Sequence, residues 1–551
     1  MVIETNNNWE LNAPATQREI EGYASMSSIN KGETIALYIN TKAASLSLSV
    51  FRTGWYNGSG ALQVVSPIII AGQVQAVPLP DKDGMVSCDW KNPYILQTSE
   101  DWQSGVYLVK LEESLYKKQS YIIFVLRDDE ANADILFQLP VTTYQAYNYW
   151  GGKCLYPFGS GSLENWGAIS GERAKKVSFD RPYAASNNPK AAYGTGAGDF
   201  LTNTRPVTTH DYPISSAGWD YNMVRWLEKH NYKVKYCTNI DIHINPKIYE
   251  NIKIFLSNGH DEYWTYEMRQ NLTKARNTGT NLAFFSSNTM YWQIRLEDNP
   301  LTSRLCGTIV CFKERDLDPV NSKKVSINFE NIPEIGSQAK LIGVQYLADP
   351  VLGDIRISNP KHWVFKGTGL KKGSRLKGLL GYEIDGVVKE SPEEIAVLAA
   401  TKCRKVKSKT HHVLLHMTNK LTKPVIKIIP NSWIKEKRNS LASKLALLAL
   451  IAILMASLLY SISILLFFIS FFMVLLFITL WFLKIKLSTT YESHMTIYTK
   501  DSGGTVYATG SMQWCWGLDN YNSPSLRKDL TSKSAQIITK NVLAKLGANQ
   551  R

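Results

Sequence analysis

From Ile20 to about Asp129 apolar and polar positions alternate in short runs, GETIALYINT, LSLSVFRTGWY, GVYLVKL and SYIIFVLRDD, punctuated by Gly and Asn. Period-two alternation with no helical pattern between the runs predicts a series of strands, and strands at this spacing predict an all-β immunoglobulin-like sandwich over residues 20–130, behind a short tail at 1–19. Trp90 and Trp102 are then expected as core or inter-sheet aromatics. At Ala133 the pattern changes. ADILFQLPVTTYQAYNYW opens as an apolar strand and turns strongly aromatic, and residues 150–212 are rich in Gly, Asn, Pro and aromatics with almost no helical periodicity. A loop region of that length is usually functional. Within it, GTGAG at 194–198 lacks the preceding strand and the Lys-Ser/Thr ending of a phosphate loop, so it reads as a turn.

The most complete pattern lies at 253–288. An apolar run at 252–256 predicts a strand, helical spacing over 263–275 predicts a helix opened near Thr265 or Glu262 and closed by Gly279, and 281–285 predicts a second buried strand. Strand, helix, strand is a parallel crossover, and parallel sheets bind ligands beyond the carboxyl ends of their strands. Both ends here are polar: Asn258, Gly259, His260, Asp261 and Glu262 at one, Asn288 at the other. With a short helix at 220–229, a strand in YKVKYC, strands in KVSINFENI, EEIAVLAAT and MTIYTKDSGGTVYATGS, and a closing helix at 534–546, the pattern predicts an α/β three-layer, Rossmann-like domain over 131–440 and 487–551.

Residues 445–483 are an uncharged, overwhelmingly apolar run of 39 residues. As one helix it would reach about 58 Å, roughly twice the hydrocarbon core of a bilayer, so two spans in a hairpin fit better. Lys435, Lys437, Arg438 and Lys444 precede it and Lys484 and Lys486 follow it, which puts both ends on one side, expected to be cytoplasmic. The expectation is an inserted transmembrane hairpin at 441–486 contacting membrane lipid, the alternative being a translated stretch of non-coding sequence. The net charge of +15 belongs largely to this region, because 401–444 holds twelve Lys or Arg against the single acid Glu436. Juxtamembrane attraction to anionic lipid accounts for that excess better than nucleic acid, for which no aromatic-interleaved motif is present.

Seven cysteines with no CxxC pair argue for a reducing compartment, and the start MVIETNNNWELN carries no secretory signal. A cysteine nucleophile at the strand-end turn is excluded, since Ser257, Asn258 and Gly259 occupy it and Cys154 and Cys237 have no base nearby in sequence. Taken alone, His260, Asp261 and Glu262 are compatible with metal binding, proton transfer or a helix cap.

Read together and in order, TTYQAYNYWGGKCLY (142–156), VSFDRPY (177–183), SNGHDEYWT (257–265), FFSSNTMYWQIR (284–295), GLLGYEIDG (378–386) and GSMQWCWGLD (510–519) resemble the C-terminal catalytic domain of the N,N-dimethylformamidase large-subunit family. EGYAS, FRTGWYNGSGA and DWQSGVYLVKL resemble the sandwich that precedes it, and the family's α/β domain is glutamine-amidotransferase-like. The resemblance implies a mononuclear iron, in the ferric state, held by two tyrosines and a glutamate, here Tyr147, Tyr183 and Glu262, with Tyr144 and Tyr149 as rivals of Tyr147. It further implies His260 beside the metal or its water, Asn288 as donor to the substrate oxygen, and Glu383 as acid/base with Asp385 as its nearest rival. The implied reaction is hydrolysis of carbon–nitrogen bonds in small N-substituted amides. A homo-oligomer or a small accessory subunit stays open. The alternative is a non-catalytic, membrane-attached binding or adhesion protein with a vestigial α/β site.

Overall fold

In the computed structural model, residues 8–157, 160, 171–204, 215–406, 471, 488–501 and 503–550 are described. Two units are distinguished, Met1–Thr401 with Glu492–Arg551, and Lys402–Tyr491. The sites discussed below lie in the first.

The alternating runs near the amino terminus form two sheets. Ile20–Ala24, Thr34–Thr41 and Tyr94–Gln97 make an antiparallel three-stranded sheet, and Ser28–Asn30, Gln119–Arg127, Gly105–Glu113, Ser45–Thr53 and Ala61–Ala71 a five-stranded one, in that order. Alternation decides what is buried: Ile35, Leu37 and Ile39 of the first sheet join Leu46, Leu48, Val50, Val109, Leu111, Phe124 and Leu126 of the second in one apolar cluster. Trp102 belongs to this cluster's margin and stacks on Tyr107 with ring centroids 5.4 Å apart. Trp90 instead packs on Tyr23 and, edge-on at 6.1 Å, on Trp150, so it joins the sandwich to the domain that follows.

That domain is built on a seven-stranded sheet ordered Val234–Thr238, Ile135–Leu139, Ile254–His260, Asn281–Ser287, Thr505–Ala508, Ser488–Thr499, Ala396–Val406. The first five strands are parallel and Ser488–Thr499 runs antiparallel to Thr505–Ala508. All seven residues of Ile254–His260 are buried. The strand extends past the apolar 252–256 run because Ser257, Asn258, Gly259 and His260 continue the parallel register opposite Phe284, Phe285, Ser286 and Ser287. The crossover helix begins at Tyr266, three residues later than its periodicity indicates. Tyr263–Thr265 first pair in parallel with Trp292–Ile294, and Thr265 Oγ1 then caps the helix by accepting the Met268 N–H at 3.1 Å. KVSINFENI yields a single turn at Phe329–Asn331 rather than a strand.

Two expectations are corrected. The α/β three-layer domain with an inserted hairpin is replaced by sheets of mixed direction with few helices, since the chain between the crossover and Ala396 is spent on short antiparallel pairs such as Gln345–Arg356 with Arg375–Gly386. Among the described residues no helix is long and apolar enough to cross a membrane, so a hairpin-anchored membrane protein is not supported. Apart from Phe471, residues 441–486 lie outside the described residues. Hydropathy and flanking charge raised that expectation, and both concern side chains, whereas a span also needs a continuous helix to satisfy its backbone N–H and C=O groups.

Candidate active site

The site is assembled where the parallel strands end. Helix Val141–Tyr147 follows directly on strand Ile135–Leu139, and Thr143 and Tyr147, four residues apart, lie on the same helix face. Thr143 Oγ1 accepts the Glu262 N–H at 2.9 Å, and the Tyr147 hydroxyl donates to Glu262 Oε2 at 2.7 Å. The other carboxylate oxygen, Oε1, accepts the Tyr156 hydroxyl at 2.8 Å. The Tyr147 and Tyr156 oxygens are 2.9 Å apart and their rings stack at 4.5 Å. Two phenols and a carboxylate therefore share one buried point.

Tyr263 and Lys313 extend this cluster outward. The Tyr263 hydroxyl donates to the Tyr156 oxygen at 2.6 Å, and the Lys313 ammonium donates to the Tyr263 oxygen at 2.8 Å while lying 3.5 Å above the centre of the Tyr156 ring. Burial, then the charge of Glu262, pushes the Tyr156 and Tyr263 phenols well above their ordinary range. Burial pulls the Lys313 ammonium down to about 8, opposed by Cys311 and Glu262.

On the other side of Glu262, His260 Nε2 lies 3.4 Å from Glu262 Oε2 and 3.1 Å from Glu383 Oε2. Glu383 and Asp385 alternate with Ile384 on strand Arg375–Gly386 and so point to one face, where they meet two neighbouring strand ends. Glu383 meets His260. Asp385 Oδ1 accepts the Ser287 hydroxyl at 2.7 Å and the Asn288 N–H at 2.8 Å. Asp261 is buried beneath the site, accepting from Gln138 Nε2, Ser257 Oγ and Asn239 Nδ2, so it ties strand ends together and faces no cleft.

Of the tyrosines that the resemblance assigns to the metal, Tyr147 stands against Glu262 and Tyr183 does not. The Tyr183 ring is edge-on to Tyr144 at 6.4 Å and lines a cavity of about 30 Å³ with Tyr23, Gln145 and Arg181. Tyr156 stands beside Tyr147 at Glu262 instead. The FDRPY segment contributes chiefly through Arg181, which is 1% exposed and donates to Gln145 Oε1 and to the carbonyls of Gln145, Asn148, Trp150 and Lys153. It thereby holds the turn that carries the chain from Tyr147 to Tyr156. The rivals are also placed elsewhere: Tyr144 donates to Asp220 Oδ2 at 2.5 Å, and Tyr149 to the Ala185 carbonyl. Tyr156 was present in the same motif as Tyr147, but spacing does not reveal a turn folded back by a remote arginine. Tyr263 and Lys313 had no sequence signal as site residues.

Asp220 supplies a pH test. Its carboxyl accepts from Tyr144 and from Asn258 Nδ2, yet burial pushes it up to about 7. A carboxyl raised on folding keeps a proton that the unfolded chain releases above pH ~4, so its stabilising contribution is full below that pH and is lost as pH rises through about 7. Asp220→Asn is expected to flatten the fall in melting temperature between pH 4 and 7. Asn258 Oδ1, buried without a hydrogen-bond partner among the described residues, lets that amide turn to accept from the new one. Equal pH slopes in parent and variant would rule this out.

A family profile described as N,N-dimethylformamidase beta subunit-like, C-terminal, matches residues 47–525, most of the chain. The chain belongs to the N,N-dimethylformamidase beta subunit-like family. No curated protein matches it. The match begins within strand Ser45–Thr53 of the sandwich, well before the motifs at 142–519, and it runs through both strand-end clusters. Membership in this dimethylformamidase-like family suggests an amide hydrolase.

Proposed function

We propose that this dimethylformamidase-like chain hydrolyses the carbon–nitrogen bond of small N-substituted amides with a mononuclear iron, probed first in the ferric state. The observation that carries the reading is the pairing of each Glu262 oxygen with a phenol, Tyr147 on one and Tyr156 on the other. Among the described residues no group of three or more His, Cys, Asp or Glu is gathered as a metal site, so a cation held here needs the phenols as well as Glu262. The donor set fits one. Oxygen donors from three residues suit a hard cation, and a phenol this far above its ordinary range gives up its proton only to a strong Lewis acid. Bound there, iron would supply Lewis-acid polarisation of an amide carbonyl.

The chain's own groups account for the rest. Glu383, within 3.1 Å of His260, takes a proton from water as its oxygen attacks the carbonyl carbon and returns it to the nitrogen as the C–N bond breaks, giving a carboxylic acid and an amine. His260 lies between Glu383 and Glu262 and orients both carboxylates. Asn288 donates to the oxygen that gains charge. This gathering of phenols, carboxylates and an imidazole favours hydrolysis over a purely adhesive role. The test is to load the full-length protein with iron and measure amine release from a panel of N-alkyl formamides and acetamides, where turnover that depends on iron is expected. A folded, iron-loaded protein releasing no amine would overturn the reading.

A further inference from the structure

We propose that Asp385 is a positioning residue of this site, holding Asn288 in the backbone conformation from which its amide meets the substrate oxygen. The inference rests on the reading of Asn288 as that donor. Asn288 has φ of +52°, in the left-handed region. Asn tolerates this region better than most residues but does not favour it, and such a conformation persists where the surroundings over-determine it. Here one carboxylate oxygen, Asp385 Oδ1, gathers the Asn288 N–H and the hydroxyl of the preceding Ser287, fixing two successive residues at the point where strand Asn281–Ser287 ends.

Asp385 is itself anchored. Its N–H donates to the Gly510 carbonyl at 3.1 Å, and its neighbour Ile384 bridges Ser511. The side chain is 3% exposed and forms no ion pair among the described residues. A buried carboxyl without a cation is costly, and burial pushes this one up to about 7 despite its two donors, with Glu383 adding to the rise. Oδ1 accepts from both donors whether or not the carboxyl is ionised, and the ionised form strengthens the two hydrogen bonds roughly twofold at a residue that must not drift.

Asn288 is 4% exposed, and its Oδ1 has no hydrogen-bond partner among the described residues. Its backbone is thus tied down while its side chain has an acceptor that the described residues leave unengaged; that acceptor cannot serve an oxyanion, so the donor role falls to Nδ2. The alternation along Arg375–Gly386 then couples the two halves of the chemistry. Glu383 serves the proton and Asp385 the oxyanion donor, from one strand and one face.

The experiment compares Asp385→Ala and Asp385→Asn with the parent in crystal structure, iron content and turnover of the same panel of N-alkyl formamides and acetamides. In Asp385→Ala, Asn288 is expected to leave the left-handed region, with kcat down about 100-fold, the loss typical of one oxyanion donor, while KM and iron content stay at parent values. Asp385→Asn retains an acceptor and should recover part of kcat. An unmoved Asn288 in Asp385→Ala, or an unchanged kcat, overturns the inference. Should Asp385→Ala not fold, a kcat drop of about tenfold at constant KM in Asp385→Asn supports it and an unchanged kcat refutes it, on the same scale of effects. If the iron-loaded parent turns over no amide at all, the hydrolase reading fails by itself, and the conformation of Asn288 in the variants still decides whether Asp385 positions it.

Discussion

Tyr156→Phe is expected to abolish iron binding, and Tyr183→Phe to leave it intact. Phenylalanine at 156 keeps the ring that stacks on Tyr147 at 4.5 Å and lies under the Lys313 ammonium, so the substitution removes one oxygen and little packing. That oxygen is the one bonded to Glu262 Oε1. Supporting partners of metal ligands typically change affinity by about 10–100-fold, and removal of a ligand oxygen should exceed the upper figure. Tyr183 has its ring against Tyr144, with Tyr144 in turn bonded to Asp220 rather than to Glu262. Iron content and the visible absorption of a phenolate bound to iron are the measurements. Loss of both in Tyr183→Phe with retention in Tyr156→Phe would restore the assignment implied by motif order and remove the one drawn from contact geometry.

The second large effect is expected for Glu383→Gln: kcat lower by about 10²–10⁴, the range for loss of a general acid or base, with iron content unchanged. Glutamine preserves the size of the side chain and can still contact His260, which Glu383 approaches at 3.1 Å. It cannot take a proton from water. The metal should be retained because the phenols of Tyr147 and Tyr156 bond to the oxygens of Glu262. A variant that loses iron together with activity would place Glu383 among the ligands, and one that keeps full activity would pass the proton-transfer role to His260 or Glu262. Asp385 does not substitute for it, because its Oδ1 is committed to Ser287 and Asn288.

Much of the local architecture was legible from residue order. The helix over 220–229 is found as Asp220–Lys229, the strand in YKVKYC as Val234–Thr238, and the closing helix as Lys533–Lys545. The central crossover was legible too, although its strand ran four residues further and its helix began three later, because polar residues joined the ladder and Tyr263–Thr265 paired with Trp292–Ile294. Glu262, His260, Asn288 and Glu383 could be singled out as polar groups at strand ends or within matching motifs. The contacts they make could not. Lys313 lies 50 residues from Tyr263, and Asp385 lies 97 from Asn288.

By itself the sequence determined where strands and helices form, which faces they bury and which strand ends carry polar groups. These follow from periodicities of two and 3.6 that act over a few residues. Which of several tyrosines meets Glu262 and which of two carboxylates meets His260 were matters only the tertiary structure decided. Each depends on sheet order, register and the satisfaction of buried donors by residues far away in the chain. Arg181 illustrates the reason: its donors fold the turn after Tyr147 back on itself, and that turn, rather than the spacing of tyrosines, brings the Tyr156 oxygen to the carboxylate.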